Sequence, residues 1–284
     1  MAAQATLRST ALVEGVGLHS GEAVRVEIHP APAGSGRWFR RGDCDGARAL
    51  EATVANVTRC FNATTLGRGE GEVTTVEHLL AVLHACGVEN AEVVVDGPEL
   101  PALDGSARGW LEAIEAAGIA PQRVPAMAFR VLREVRVERG ESWARFVPGD
   151  GLRLDITCSF DHPLIGETRW LGEVTPRSFA EELAGARTFC LEGEVEKLRA
   201  AGLAKGGGLH NAVVFGEAGV LNSEGLRWPD EPVRHKAMDV VGDLALLGHR
   251  LIGRYEAHRP GHALTVALLR EALSAPDALE IVGL

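Results

Sequence analysis

The stretch Val233-Arg-His-Lys-Ala-Met-Asp-Val-Val-Gly-Asp-Leu-Ala-Leu-Leu-Gly248 is apolar almost all round a helical wheel. It predicts one buried helix, because a helix without a polar face has no side to turn to water. At about 100° per residue, His235, Asp239 and Asp243 fall within an arc of roughly 80°. A buried imidazole beside two buried carboxylates costs several kcal/mol unless each group finds a partner.

A metal ion is one such partner for this helix. His235 and Asp239 stand four residues apart and present a nitrogen and an oxygen on one face, which suits zinc. On an apolar helix this spacing more often marks a satisfied polar pair, so both interpretations stay open. Two protein ligands do not make a stable site, and the metal interpretation therefore requires a third ligand elsewhere.

The segment Val73-Thr-Thr-Val-Glu-His-Leu-Leu-Ala-Val-Leu-His-Ala-Cys-Gly87 supplies the best candidate for that ligand, His78. We predict a helix that opens at Thr74 or Thr75 and ends at the final glycine. Glu77 directly precedes His78 and could take a proton from water at the metal. The spacing also fits a capping box, in which Glu77 bonds back to the helix start, and both roles stay open.

His262 follows Pro260-Gly261 at the predicted start of a C-terminal helix. The helix dipole opposes its protonation there, while a nearby carboxylate would favour the imidazolium. Asp243 is the natural carboxylate, although an ordinary helix-start histidine is the alternative. Taken together, these parts predict a metallohydrolase. The His-Glu-x-x-His helix of many metallopeptidases is absent from the sequence.

The composition limits the possible partners. A net charge of −10 over 284 residues argues against nucleic acid as a partner, since phosphate binding needs concentrated Lys and Arg. Five cysteines without a CxxC pair predict reduced, mostly buried thiols in a cytoplasmic protein. The N-terminus lacks the apolar core of a signal peptide, and no apolar helix approaches the about 20 residues that span a bilayer. Any membrane contact would be peripheral.

The order of strand-like and helix-like segments predicts an α+β protein built from two similar halves. We expect residues 1–120 to form the first domain and residues 126–284 the second, with Pro121–Pro125 as the linker. Each half would be a two-layer α/β sandwich, with helices packed on a largely antiparallel sheet. Because the candidate ligands come from both halves, the site should lie at the domain interface.

Several motifs, in one order from about residue 5 to 273, carry a resemblance to a known family. They are Gly15-Val-Gly-Leu-His-Ser-Gly21, Thr75-Val-Glu-His-Leu79, Gly97-Pro-Glu-Leu-Pro101, Asp104-Gly-Ser106, Asp161-His-Pro-Leu-Ile-Gly166, Ala186-Arg-Thr-Phe189, Gly202-Leu-Ala-Lys-Gly-Gly207, Asn222-Ser-Glu-Gly-Leu-Arg227, Val233-Arg-His-Lys236 and Gly261-His-Ala-Leu264. The chain resembles the zinc-dependent UDP-3-O-acyl-N-acetylglucosamine deacetylases of Gram-negative lipid A synthesis. The resemblance implies hydrolysis of the acetamide of UDP-3-O-(3-hydroxyacyl)-N-acetylglucosamine to the free amine and acetate, the committed step, by a monomer.

The same resemblance implies roles for named residues. The ligands of one zinc ion, which iron(II) could replace in the cell, would be His78, His235 and Asp239. The acid–base groups would be Glu77 as general base and His262, held by Asp243, as general acid. Two further side chains would assist, with Thr188 holding the oxyanion and Lys236 adding positive charge.

The resemblance also implies where the substrate lies. In that family the fatty acyl chain enters a hydrophobic passage formed by an inserted unit, which matches residues 191–214 here. The expected lining residues, each of which could instead be ordinary core, are Val195, Leu198, Ala204, Gly207 and Val214. Phe160 and Phe189 would flank the sugar or the nucleotide.

Three departures from the family pattern are Thr265, Pro232 and the first residues of Cys60-Phe-Asn-Ala-Thr-Thr-Leu66. The last of these puts the contribution of its loop to substrate binding in doubt. A non-catalytic nucleotide-sugar or lipid-binding protein of the same fold is the alternative function. Such a protein would be expected to lose Glu77 or a metal ligand, and the sequence keeps them all.

Overall fold

The computed structural model of the protein describes residues 2–284. The elements of the first half are the strands β1 (Ala3–Leu7), β2 (Ala11–Val16), β3 (Ala23–Pro30), β4 (Arg37–Arg41), β5 (Leu50–Glu51), β6 (Val57–Cys60), β7 (Thr64–Leu66) and β8 (Val73–Thr74), the helix α1 (Glu77–Ala85), the strand β9 (Ala91–Val95), the helix α2 (Arg108–Ala117) and the strand β10 (Ile119–Pro125). Strands β2-β3-β9-β4-β5 form a five-stranded sheet in that order. Its pairs are antiparallel except β4 with β9.

Buried and more exposed residues alternate along the strands of this sheet, so that one face of it is buried. In β3, Val24, Val26 and Ile28 are buried while their neighbours are more exposed, as expected of a strand with one face on a core. All nine residues of α1 are buried, so this helix is the centre of the molecule and not a surface element.

The second half repeats the combination of a sheet with covering helices. Its elements are β11 (Met127–Val131), β12 (Val135–Arg139), β13 (Ser142–Val147), β14 (Leu152–Ser159), β15 (Glu167–Glu173), α3 (Pro176–Ser178), β16 (Phe189–Leu191), α4 (Glu192–Ala200), β17 (Val213–Phe215), α5 (Glu231–Leu244), β18 (Arg250–His258), α6 (His262–Ser274) and β19 (Leu279–Gly283). The seven-stranded sheet runs β12-β13-β18-β11-β19, with β14 paired to β18 and β15 to β14. Four of its six strand pairs are antiparallel, and the predicted α+β class is confirmed.

Helices α1 and α5 bring the two halves together. A Cβ atom added to Gly242 of α5 would lie 2.0 Å from the carbonyl oxygen of Glu77, so the helix backbones nearly touch there. Leu79 and Leu83 of α1 belong to the same core cluster as Val241 of α5. The predicted buried helix is confirmed; it ends as a 3₁₀ turn at Ala245–Leu247.

Three local predictions are wrong. The expected linker Pro121–Pro125 is part of β10, which pairs antiparallel with β1 across more than a hundred residues of sequence. Its prolines are tolerated because a two-stranded sheet leaves each strand an open edge. The helix expected from Thr74 or Thr75 begins at Glu77, since Thr75 has a left-handed φ of 59°.

The third wrong prediction concerns the thiols. Cys158 is buried, but the remaining four cysteines, Cys44, Cys60, Cys86 and Cys190, are half-buried. All five are free cysteines. In the part of the chain that the structure describes, no helix is long and apolar enough to cross a membrane.

The segment expected as an inserted unit forms a compact strand–helix–strand element. Strands β16 and β17 pair in parallel, with Phe189 opposite Val213, and α4 connects them. Two of the sequence departures are structural, since Thr265 is fully buried and bonds the hydroxyl of Tyr255 at 2.9 Å, and Pro232 lies in the first turn of α5.

Candidate active site

Three buried side chains meet where α1 and α5 cross. His78, His235 and Asp239 each offer one ligand atom, and these atoms all lie within 4.8 Å of one another. The Nε2 atoms of both histidines stand 3.5 Å from Oδ1 of Asp239. That oxygen is buried and has no hydrogen-bond partner among residues 2–284. A buried unpartnered carboxylate oxygen facing two imidazole nitrogens fits a metal ion, which would supply the missing partner.

The imidazole of His235 is held in the form that a metal ligand requires. Its Nδ1 lies 3.0 Å from the carbonyl oxygen of Ala186, so Nδ1 carries the proton and Nε2 keeps its lone pair toward Asp239. Burial lowers the pKa of His235 to about 4, and the ring is neutral at physiological pH. Ala186 opens the motif Ala186–Phe189, but its residue type does not indicate this role, because its contribution is a backbone oxygen.

Asp239 and Lys236 form a buried charge pair on the same helix. The Lys236 ammonium donates to Oδ2 of Asp239 at 3.0 Å, leaving Oδ1 for the site. Burial opposes both charges, but the neighbouring histidines and Lys236 hold the pKa of Asp239 well below its usual range. In the same way Asp239 outweighs burial and raises the pKa of Lys236. A positive charge therefore stays beside the candidate ligands.

Glu77 faces the site and does not cap its helix. Its Oε2 accepts from the backbone N–H of Thr64 at 3.0 Å, and Val76 at the helix start receives no side-chain cap from residues 2–284. The capping interpretation is therefore wrong. Burial raises the pKa of Glu77, which moves this carboxylate toward the range where a general base works at neutral pH.

His262 sits at the start of α6 with a carboxylate behind it, as predicted. Its Nδ1 lies 2.9 Å from Oδ2 of Asp243, whose Oδ1 accepts from the hydroxyl of Thr64 at 2.7 Å. Its Nε2 points the other way, 3.7 Å from Oε1 of Glu77 and 4.0 Å from Oδ2 of Asp239. Burial lowers the pKa of His262, but Asp243 and Glu77 outweigh it and raise the pKa to about 10. The ring is an imidazolium at neutral pH.

A cavity of about 1130 Å³ opens beside this group. Lys236 and His262 line it, and both reach Asp239. Its wall includes Thr188, predicted to hold the oxyanion, and the predicted substrate residues Phe189, Val195, Leu198, Ala204, Gly207 and Val214. Phe160 packs edge-on against Phe189, with ring centroids 5.3 Å apart. The structure thus brings the predicted site residues into one continuous region.

Sequence reasoning missed several residues of this region. Thr64 bridges Glu77 and Asp243, and its only signal was its place in the divergent loop 60–66. His19, Arg139 and Arg259 line the cavity, and of these only His19 belonged to a quoted motif. The buried Nε2 of His19 finds no partner in the described part of the chain.

The fold and the site together define a candidate metallohydrolase, with a His-His-Asp group, an acidic side chain and an imidazolium beside a large cavity. The family model for UDP-3-O-acyl N-acetylglycosamine deacetylase (LpxC) matches residues 4–274, and the chain belongs to this family. The resemblance predicted from the motifs is confirmed.

Curated relatives agree with the family match over almost their whole length. A UDP-3-O-acyl-N-acetylglucosamine deacetylase of Pseudomonas entomophila is 43% identical, covering 99% of this chain and 94% of the relative. Deacetylases of the same name from Methylococcus capsulatus and Neisseria gonorrhoeae are 42% and 40% identical. They cover 100% and 98% of this chain, and 94% and 92% of their own lengths.

Proposed function

We propose that the protein is a zinc-dependent deacetylase that hydrolyses the acetamide of UDP-3-O-(3-hydroxyacyl)-N-acetylglucosamine to the free amine and acetate, in lipid A synthesis. The observation that carries the proposal is the unpartnered, buried Oδ1 of Asp239 facing Nε2 of His78 and of His235, in a chain of this family. Zinc suits this nitrogen and oxygen donor set, and iron(II) is the second candidate.

His78, His235 and Asp239 would hold the metal. When bound, it would polarise the acetyl carbonyl and lower the pKa of water toward about 7. The proton transfers are assigned to side chains of the protein. Glu77, with its raised pKa, accepts a proton from the attacking water, and Thr64 N–H keeps its other oxygen in place.

His262 would act as the general acid in the last step of the reaction. Its imidazolium can donate the Nε2 proton to the leaving amine nitrogen, while Asp243 holds Nδ1. Because Glu77 must be deprotonated and His262 protonated, activity should follow a bell-shaped pH profile. Thr188 and Lys236, both on the cavity wall, would stabilise the negative charge that develops on the carbonyl oxygen.

The remaining cavity would hold the two ends of the substrate. The apolar wall from the strand–helix–strand element, which includes Val195, Leu198 and Val214, suits a fatty acyl chain. Arg139 and Arg259 line the same cavity and are the cations we assign to the diphosphate. We further propose that the protein acts as a monomer, and its five free cysteines favour a reducing, cytoplasmic location.

The test is acetate release from UDP-3-O-(3-hydroxyacyl)-N-acetylglucosamine, measured on the purified protein, after chelation, and after one equivalent of zinc is returned. We expect activity to be lost on chelation and restored by one metal per chain. The variant Glu77→Gln is the control, because it should bind the metal without restoring turnover. If substrate binds but no metal state releases acetate, the proposal fails and the non-catalytic binding protein becomes the better interpretation.

A further inference from the structure

A buried ion pair lies beside the candidate site without touching it. Arg187 and Glu231 have side chains only 3% and 1% exposed, and Nε of Arg187 donates to Oε1 of Glu231 at 2.8 Å. Arg187 lies between Ala186 and Thr188 in the chain, two residues that face the site. Nothing in the reaction proposed above uses this pair.

Each charge of the pair has several hydrogen-bond partners. The Glu231 carboxylate accepts from the backbone N–H, Nε and Nη2 of Arg187, and from the backbone N–H of Arg227 at 2.7 Å. Arg187 also donates to Glu224 and to the carbonyl oxygen of Gly225, each at 2.7 Å. So many bonds from one guanidinium require the planar fork of arginine, which a lysine ammonium cannot reproduce.

The pair joins two parts of the site that come from distant sequence. Glu231 is the first residue of α5, one turn before His235. The backbone of Arg187 continues into Ala186, whose carbonyl oxygen bonds Nδ1 of His235, and into Thr188 on the cavity wall. Thr188 is fixed from the other side, where its N–H donates to the carbonyl oxygen of Gly105 at 2.7 Å. A shift of Arg187 would therefore move both Ala186, which bonds the candidate ligand His235, and Thr188, which is proposed to hold the oxyanion.

We propose that the Arg187–Glu231 pair is a positioning device that sets the ring orientation of His235 and the place of Thr188 at once. The inference rests on the function proposed above. When a histidine binds a metal, the group that bonds its other ring nitrogen fixes the tautomer and the orientation of the ring. Loss of such a group typically weakens metal affinity about 10- to 100-fold. Arg187 acts on that partner through the backbone, so it is a positioning residue and not a catalytic one.

The variants Arg187→Lys and Glu231→Gln test the proposal. We expect each to bind zinc about 10- to 100-fold more weakly in competition with a chromophoric chelator. We also expect each to change the visible absorption spectrum of the cobalt(II) form, which reports ligand geometry. The matched control is Arg250→Lys, which removes the fork from a partly buried pair with Glu89, beyond the opposite end of α1 from His78. It should lower the thermal midpoint while leaving the zinc affinity and the cobalt spectrum at wild-type values.

A second comparison separates the two effects of the pair. Thr188→Ala should lower kcat and leave the zinc affinity unchanged, whereas Arg187→Lys should change both. If Glu231→Gln fails to fold, which thermal unfolding of the apo protein will show, the milder Arg187→Lys still decides the question. Zinc affinities within about twofold of wild type and an unchanged cobalt spectrum in folded Arg187→Lys would overturn the positioning role. Absence of metal-dependent turnover in the wild type would instead refute the proposed function.

Discussion

Asp243 contributes more than any other carboxylate to keeping His262 charged, and the variant Asp243→Asn should show this directly. The substitution keeps the size of the side chain and removes its charge, while Thr64 can still bond the remaining oxygen. Asp243 is the first of the charges that raise the pKa of His262 to about 10 against the opposing effect of burial. Without it, only Glu77 and Asp239 oppose the effect of burial, so we expect that pKa to fall from about 10 toward its ordinary value of 6.5.

The size of the effect follows from the two pKa values. At pH 8 a group with a pKa of about 10 is almost fully protonated, whereas one with a pKa of 6.5 is only about 3% protonated. The active form of Asp243→Asn should therefore be up to about 30-fold rarer at pH 8, and the loss should shrink as the pH falls toward 6. The alkaline limb of the profile moves down in pH because the proton donor is lost earlier.

The assay is the pH dependence of kcat/KM for acetate release between pH 6 and 10.5, with metal content measured at each point. Asp230→Asn is the control. The Asp230 carboxylate lies at the start of the same helix as Asp243, but it pairs with Arg234 and not with His262. This variant should leave the alkaline limb in place. An Asp243→Asn profile lowered equally at every pH, with its alkaline limb unmoved, would refute the role of His262 as the proton donor.

Three further substitutions have distinct expected outcomes. Glu77→Ala should keep the metal and lose roughly 10²-fold or more in turnover, and metal loss in that variant would make Glu77 a structural residue. Asp239→Ala should lose metal affinity on titration with zinc, and an unchanged metal content would remove it from the ligand set. His84→Leu should reduce acid lability. Burial and the cations of Arg37 and Arg250 lower the pKa of His84 from its ordinary 6.5 to about 3 in the folded protein. The unfolded chain therefore takes up a proton here more readily than the folded one. The contribution of the neutral ring to the free energy of unfolding is present above about pH 6.5 and is lost as the pH falls toward 3. The wild type should lose about 2 kcal/mol between pH 7 and 5 through this group, and an equal loss in His84→Leu, measured by urea unfolding, would contradict the assignment.

Short-range patterns predicted the elements that carry the site. The helical wheel of α5 placed His235, Asp239 and Asp243 on one face, and the structure has all three buried there. The predicted start of the C-terminal helix at His262 is also the first residue of α6 in the structure. These predictions succeed because side-chain periodicity within one helix or strand is a local property of the chain.

Predictions that depended on distant partners failed. Proline composition alone marked Pro121–Pro125 as a linker, whereas its pairing with Ala3–Leu7 depends on a strand at the far end of the half. The spacing of Thr74 and Glu77 fitted a capping box, but the buried environment of Glu77 gives it the N–H of Thr64 instead. No periodicity in either segment carries information about a partner so far along the chain.

The crossing of α1 and α5 shows why the candidate metal ligands could be named from the sequence, whereas the distances between them could not be predicted. His78 can share a site with Asp239 only if the two helix axes approach closely, and side chains at the contact normally keep helices about 8–10 Å apart. Gly242, one turn after Asp239, removes that obstacle, because any Cβ there would collide with the backbone of Glu77. From the helical pattern of the sequence alone, Gly242 is only a residue of low helix propensity. Its function is in the tertiary structure, where the absence of a side chain lets a ligand from each half reach the same point.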